Sequence, residues 1–313
     1  MKNTQDKYYA ALDIGTNSFH MIIARLNKKG GLKIVDRARE VIRLGTEDSS
    51  AEKLISPNEI KRSIDILNNF KNLVKLYNAE LMSAATSAVR ESKNKGEFCS
   101  EILKNTGINI RIITGREEAE LIFNGIKNDV DISNDRILCV DIGGGSTELI
   151  AADKERILYS ESFDMGAVKL TKKFFPDYKL SEKRIEDCRN YVRGEILKDK
   201  NIIKGEKFDY LAGSSGTIEA SEEMINFKKK NVTEKVNHPS FSYSQYKKLV
   251  TKILSAKTIE DRLKIQGMET KRADIIQSGI IILDEIFEMF NVRKMVVSRY
   301  ALREGIIYSL INE

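Results

Sequence analysis

Asp13 and Asp141 each close an apolar run two residues before glycine, in Leu12-Asp13-Ile14-Gly15-Thr16-Asn17-Ser18 and Val140-Asp141-Ile142-Gly143-Gly144-Gly145-Ser146-Thr147. At the carboxyl end of a strand a carboxylate can leave the sheet and face a ligand. Two such acids can hold a divalent cation. Adjacent glycines let backbone N–H groups approach phosphate oxygens closely, and Thr16, Ser18, Ser146 and Thr147 can add hydroxyl donors. One such motif alone reads equally well as an ordinary β-turn. Its recurrence after an equivalent strand favours two ligand loops and suggests two related halves.

Glu117 and Glu118 stand in Thr114-Gly115-Arg116-Glu117-Glu118-Ala119, where Thr114 or Gly115 opens a helix. Acids there complement the helix dipole, which is the plainer reading; the chemical one is that one of them accepts a proton from an attacking water. Arg90 follows Thr86-Ser87-Ala88-Val89, a setting that suits a phosphate-clamping arginine, although surface arginines are commoner. Gly213-Ser214-Ser215-Gly216-Thr217 also joins a strand to a helix and can bind an anion through its N–H groups, without a dinucleotide or Walker pattern. His20 and His238 have no partner at metal-ligand spacing, and no nucleophile elbow is present.

The elements that must carry these residues alternate between strand and helix. Residues 8–14 meet the turn-like Gly15-Thr16-Asn17-Ser18, and residues 19–26 alternate into a second strand, a β-hairpin. A third strand is expected at 32–38. Ser56-Pro57-Asn58-Glu59 supplies an N-cap, a proline at N1 and a Glu at N3, and Ile60, Ile64, Leu67, Val74 and Tyr77 continue one helical face. Then come a strand at 79–85, a helix near 95–105, a strand at 108–113 and a helix from Gly115 to about 128. Residues 128–135 read as a linker, and 136–142 restart the opening theme. Helices are expected near 169–175, 182–197, 217–224, 243–254 and 272–290, with strands at 210–212 and 294–297 and a closing helix. The three lysines at 228–230 read as a solvated loop.

The 313 residues are 41% hydrophobic and 31% charged, with 19 Gly and 3 Pro, which excludes fibrous and disordered classes. A net charge of +6 makes an anionic ligand plausible without choosing among polyanions. Cys99, Cys139 and Cys188 are odd in number and unpatterned, so neither a disulfide framework nor a zinc site is indicated. No leader-like apolar segment opens the sequence and no run approaches the roughly 18 apolar residues of a membrane span. The expectation is a cytoplasmic protein.

Taken in order, five segments closely resemble the exopolyphosphatase and guanosine pentaphosphate phosphohydrolase family of the actin-like ATPase superfamily: residues 11–20, 85–90, 114–119, 140–149 and 212–217. The Gly-Arg-Glu-Glu-Ala segment and the glycine triplet before Ser-Thr-Glu separate that family from its kinase relatives. The resemblance implies a duplicated ribonuclease-H-like α/β fold: a first domain at 1–127, a second at 128–299, each a mixed sheet flanked by helices, an interdomain cleft, and a helix at about 300–313 returning to the first domain. It implies Glu118 as catalytic base, and Gly15, Thr16, Asn17, Ser18, Arg90, Gly143, Gly144, Gly145, Ser146, Thr147, Gly213, Ser214 and Ser215 as phosphate-binding. Asp13, Asp141 and Glu148 are implied near the metal, Mg²⁺ by default with Mn²⁺ compatible.

The expected reaction is hydrolysis of the terminal phosphoanhydride of inorganic polyphosphate, with guanosine pentaphosphate as the alternative substrate. Longer relatives carry a further C-terminal helical region that extends the substrate channel; this sequence does not contain it, so short chains are expected. A small-molecule kinase and a non-catalytic alarmone sensor are the competing classes. Neither a nucleic-acid polymer nor a membrane is expected as partner, and a homodimer is compatible with the family.

Overall fold

Alternation sets the first strand: Ala10, Leu12 and Ile14 point into a core while Asp13 lies on the opposite face. In the computed structural model, which describes residues 7–28, 30–45, 53–153, 156–199, 205–227 and 238–312, this strand is β1 (Tyr9–Ile14). It is followed by β2 (Ser18–Leu26), β3 (Leu32–Val41), α1 (Pro57–Leu76), β4 (Glu80–Ala85), α2 (Ser87–Glu91), α3 (Lys95–Thr106), β5 (Arg111–Ile112) and α4 (Gly115–Lys127). The sheet order is β3-β2-β1-β4-β5, with β2 antiparallel to both neighbours and β4 and β5 parallel to β1. Parallel strands end on one edge. The segments that leave β1, β4 and β5, residues 13–18, 86–90 and 113–118, therefore share that edge.

The helix starts follow the sequence. Ser56 Oγ accepts the Glu59 N–H at 3.1 Å and Glu59 returns the contact to the Ser56 N–H at 2.8 Å, with Pro57 at the first helical position. Ile60, Leu67 and Phe70 of α1 and Phe98 and Ile102 of α3 bury against Leu12, Phe19, Met21 and Ile23.

The second half contains β6 (Arg136–Ile142), β7 (Thr147–Asp153), β8 (Arg156–Phe163), α5 (Ala167–Phe174), α6 (Glu182–Lys198), β9 (Tyr210–Gly213), α7 (Gly216–Asn226), β10 (Ser240–Ser242), α8 (Tyr243–Ser255), α9 (Ile259–Leu263), α10 (Ile276–Met289) and β11 (Lys294–Val297). Its sheet runs β8-β7-β6-β9-β11 with the strand directions of the first, plus β10 antiparallel at the edge. The registers repeat as well. Asp13 faces His20 and Ile14 faces Phe19 across the first hairpin; Asp141 faces Glu148 and Ile142 faces Thr147 across the second. This is the duplicated ribonuclease-H-like class that the sequence led us to expect.

Several elements correct the sequence reading. The strands β7, β8 and β10 and the short helices α2 and α9 were not anticipated. The strand expected at 108–113 pairs only over Arg111–Ile112, because β4 offers it just Ala84 and Ala85. The helix expected from Arg272 begins at Ile276, after turns at 270–275. The lysine run at 228–230 lies outside the described residues.

By its internal contacts the chain divides into residues 1–128 with 300–313, and residues 129–299. Asp129 ties the ends of the second unit together: it accepts the Arg299 N–H at 2.6 Å and the Ser298 hydroxyl at 3.3 Å. In the first unit the last helix, α11 (Leu302–Asn312), lies on β1 and α4. Two glycines allow that crossing. A methyl on Gly305 would overlap the Leu121 carbonyl oxygen, and one on Gly125 the Ala301 carbonyl oxygen. Gly305→Ala should therefore lower stability by about 2–3 kcal/mol, the overpacking cost outweighing the gain in helix propensity of about 1 kcal/mol. Thermal unfolding checks this; an unchanged or raised midpoint would show that the crossing tolerates a methyl. No helix among the described residues is long and apolar enough to cross a membrane.

Candidate active site

The structure separates the two adjacent acids of α4. Glu117 completes a capping box: its N–H meets Thr114 Oγ1 at 3.2 Å and its carboxylate takes the Thr114 N–H at 2.8 Å. Its other oxygen pairs with Arg111 at 2.8 Å. These contacts, the Thr114 N–H foremost, hold its carboxyl below the usual range. Glu118, one residue on, turns inward and is only 6% exposed. Burial pushes its carboxyl above the ordinary value, opposed by the Arg90 guanidinium 2.7 Å away. A carboxylate raised in this way is a better proton acceptor.

Arg90 sits on the single turn of α2, and its Nη1 also donates to the Ile113 carbonyl at 3.2 Å. Its Nη2 and Nε keep no protein partner among the described residues, so the planar fork can still take phosphate oxygens. Asp13 lies on the same edge. Burial raises its carboxyl to about 7; Arg303 works against the rise, and Glu118 and Glu304 add to it. The charge of Glu118 thus adds to what burial already does to Asp13.

In the first glycine loop the Asn17 carbonyl accepts both the Ile42 and Arg43 N–H groups at 3.0 Å. Among the described residues its side-chain Oδ1 is buried with no hydrogen-bond partner; turned about, the amide would present donors at the same place. Ser18 Oγ lies 2.6 Å from His20 Nε2, and His20 Nδ1 lies 3.0 Å from Arg303 Nη1.

The loops of the second unit are held by the backbone. The Gly143 carbonyl accepts Ala167 N–H at 2.9 Å and the Gly144 carbonyl accepts Val168 and Lys169 N–H groups at 3.0 and 3.1 Å, which anchors the glycine triplet on α5. Gly143 N–H bonds the Ser146 carbonyl at 2.9 Å, closing the turn. Not every expected hydroxyl is available. Thr147 is fully buried and donates to the Met165 carbonyl at 2.5 Å, so its side chain serves the strand, not a phosphate. Ser215 Oγ caps α7 at the Ile218 N–H, and Ser214 Oγ lies 3.5 Å from Glu219. Asp141 stands opposite Glu148, which is 1% exposed and accepts the Ser162 hydroxyl at 2.7 Å.

Two arginines of the sites escaped the sequence reading, and His20 was read only as a strand residue without a partner at metal-ligand spacing. Arg272 packs its guanidinium against Gly216, where a Cβ would overlap it, at the start of α7. His20 and Arg303 complete the first loop from 283 positions apart. Nothing local marks either arginine; only the fold brings them to the loops.

Comparison with known proteins agrees with this geometry. Residues 22–313 match the model of the Ppx/GppA phosphatase family. Among solved structures, an exopolyphosphatase from Cytophaga hutchinsonii is 26% identical, with 98% of each chain covered and a TM-score of 0.88. The Aquifex aeolicus member of the Ppx/GppA protein family is 25% identical, with 98% of each chain covered and a TM-score of 0.80.

Proposed function

We propose, for a chain that belongs to the Ppx/GppA phosphatase family and is thereby a hydrolase of phosphoanhydride bonds, that it removes terminal orthophosphate from short inorganic polyphosphate. One observation carries the reading: of two neighbouring glutamates, Glu117 is spent on the helix cap while Glu118 is buried beside Arg90 with its carboxyl raised. Arg90 and the donors of the first loop hold the terminal phosphoryl. Glu118 orients the water and takes its proton as the water oxygen bonds to the terminal phosphorus and the bridging P–O bond breaks, the shortened chain leaving with the bridging oxygen. Phosphoryl transfer passes through a loose transition state, so placement and charge stabilisation supply most of the rate. The charge of +6 and the likeness to the Cytophaga hutchinsonii exopolyphosphatase support a polyanionic substrate.

The carboxylates of Asp13 in one unit, and of Asp141 with Glu148 in the other, are hard oxygen donors that suit Mg²⁺ or Mn²⁺. Among the described residues no group of three or more acids, histidines or cysteines is placed to hold a metal ion by itself, so an ion on Asp13, or on Asp141 with Glu148, would take its other ligands from phosphate oxygens and water. Bound there, it would neutralise charge on the substrate. The deciding experiment measures orthophosphate release with Mg²⁺ from tripolyphosphate, long-chain polyphosphate and guanosine pentaphosphate in parallel. Highest kcat/KM on tripolyphosphate supports the reading. Preference for the nucleotide replaces it with guanosine pentaphosphate hydrolysis, and transfer from ATP to an acceptor without release would make the chain a kinase.

A further inference from the structure

Ser18 and His20 are two apart on β2, so their side chains share a face, and that face carries Asp13 directly opposite His20. Two hydrogen bonds on the imidazole assign its tautomer. A guanidinium donates and never accepts, so His20 Nδ1, 3.0 Å from Arg303 Nη1, must offer its lone pair. The neutral ring then carries its proton on Nε2 and donates it to Ser18 Oγ at 2.6 Å. With a lone pair of Ser18 Oγ occupied in this way, the hydroxyl keeps its own proton for donation elsewhere. Ser18 closes the glycine loop and is 7% exposed, so this donor has little freedom to turn. In the second unit the same register position is filled by Glu148, which accepts the Ser162 hydroxyl, so the directed chain belongs to the first unit.

We infer that His20 is a positioning residue for substrate: it sets the direction of a hydrogen-bond chain, Arg303 to His20 to Ser18, that points the Ser18 O–H at a phosphoryl oxygen. The inference rests on the proposed reading that the first loop takes phosphate. It assigns no chemical step to the histidine. Without His20 the Ser18 hydroxyl can rotate to accept instead of donate.

The experiment compares wild type, His20→Leu, His20→Gln, Ser18→Ala and the double variant His20→Leu/Ser18→Ala, with tripolyphosphate as ligand. Kd is read by calorimetry, kcat and KM by phosphate release, and folding by thermal unfolding. Glutamine can accept from Arg303 through Oε1 and donate to Ser18 through Nε2, so it preserves the chain where leucine breaks it. His20→Leu should raise Kd and KM about tenfold or more with a smaller change in kcat, the loss of one hydrogen bond to a charged group. His20→Gln should recover most of this, and the double variant should be no worse than Ser18→Ala alone. Additive losses in the double variant, or a glutamine variant as weak as leucine at equal thermal stability, overturn the inference. Wild type that binds tripolyphosphate with this pattern of losses but releases no phosphate overturns the proposed function and leaves the inference standing. Wild type that neither binds nor hydrolyses overturns both.

Discussion

Replacing Glu118 by Gln should lower turnover by about 100- to 10,000-fold, the usual contribution of a positioned acid or base, while the Kd for tripolyphosphate changes by no more than a few fold. Glutamine keeps the volume and can still accept from the charged Arg90 guanidinium through Oε1, so the contact, 2.7 Å in the wild type, survives with a neutral acceptor. What disappears is the ability to take the water's proton. Binding survives because the remaining donors, Arg90 and the first glycine loop, are untouched. Glu117→Gln is the matched control. It weakens the cap and the Arg111 pair, with an expected loss of about 1 kcal/mol or less in stability and no large change in turnover. Phosphate release and calorimetry on the two variants check the pair. Equal losses at both positions would reduce the two acids to helix-dipole partners.

Arg90→Met should cost both affinity and turnover, and its effect on stability should depend on pH. Burial raises the Glu118 carboxyl from its ordinary value of 4.5, and Arg90 is what restrains the rise. Without Arg90 the folded-state pKa climbs further. The folded protein then holds a proton that the unfolded chain has released, so stability falls as pH rises from the unfolded carboxylate range through the folded pKa. The loss should be small near about pH 5 and reach about 2–3 kcal/mol near about pH 8.5. That is below the range for a fully enclosed pair because the Arg90 side chain is 21% exposed. Denaturant unfolding at the two pH values measures it. The double variant Arg90→Met/Glu118→Gln should regain the stability at high pH without regaining activity. A loss independent of pH would mean that Arg90 acts through the Ile113 carbonyl and packing alone.

The sequence carried the first hairpin, the capped α1, the βα alternation and the repeat, because each has a local physical signature: period-two alternation, a capping box, glycine after a strand. It failed where the signal was short or two-sided. β7 is buried along nearly its whole length, so its apolar run has no alternation to mark it, and β8 is a mixed edge strand. The repeat of Asp-Ile-Gly after a strand was a sufficient hint of a repeated hairpin, since β1–β2 and β6–β7 share register. The difference between Glu117 and Glu118 was also partly legible: Thr114 and Glu117 have the spacing of a capping box, which assigns the first glutamate to the helix end and leaves the second free for chemistry. Thr147 read as a phosphate donor because a hydroxyl after a glycine turn usually is exposed; here β8 and the turn after it enclose it. Arg272 and Arg303 were beyond sequence, and His20 was read without its role, because the contacts of both arginines are made by the fold over long separations.

The most direct test of the central claim is a single turnover of tripolyphosphate in ¹⁸O-labelled water, with wild type and Glu118→Gln side by side and the label located by mass spectrometry. Hydrolysis driven by Glu118 predicts one ¹⁸O in the released orthophosphate, none in the shortened chain, and almost no release by Glu118→Gln over the same interval. Label in the shortened chain, or release by Glu118→Gln at the wild-type rate, would contradict the account.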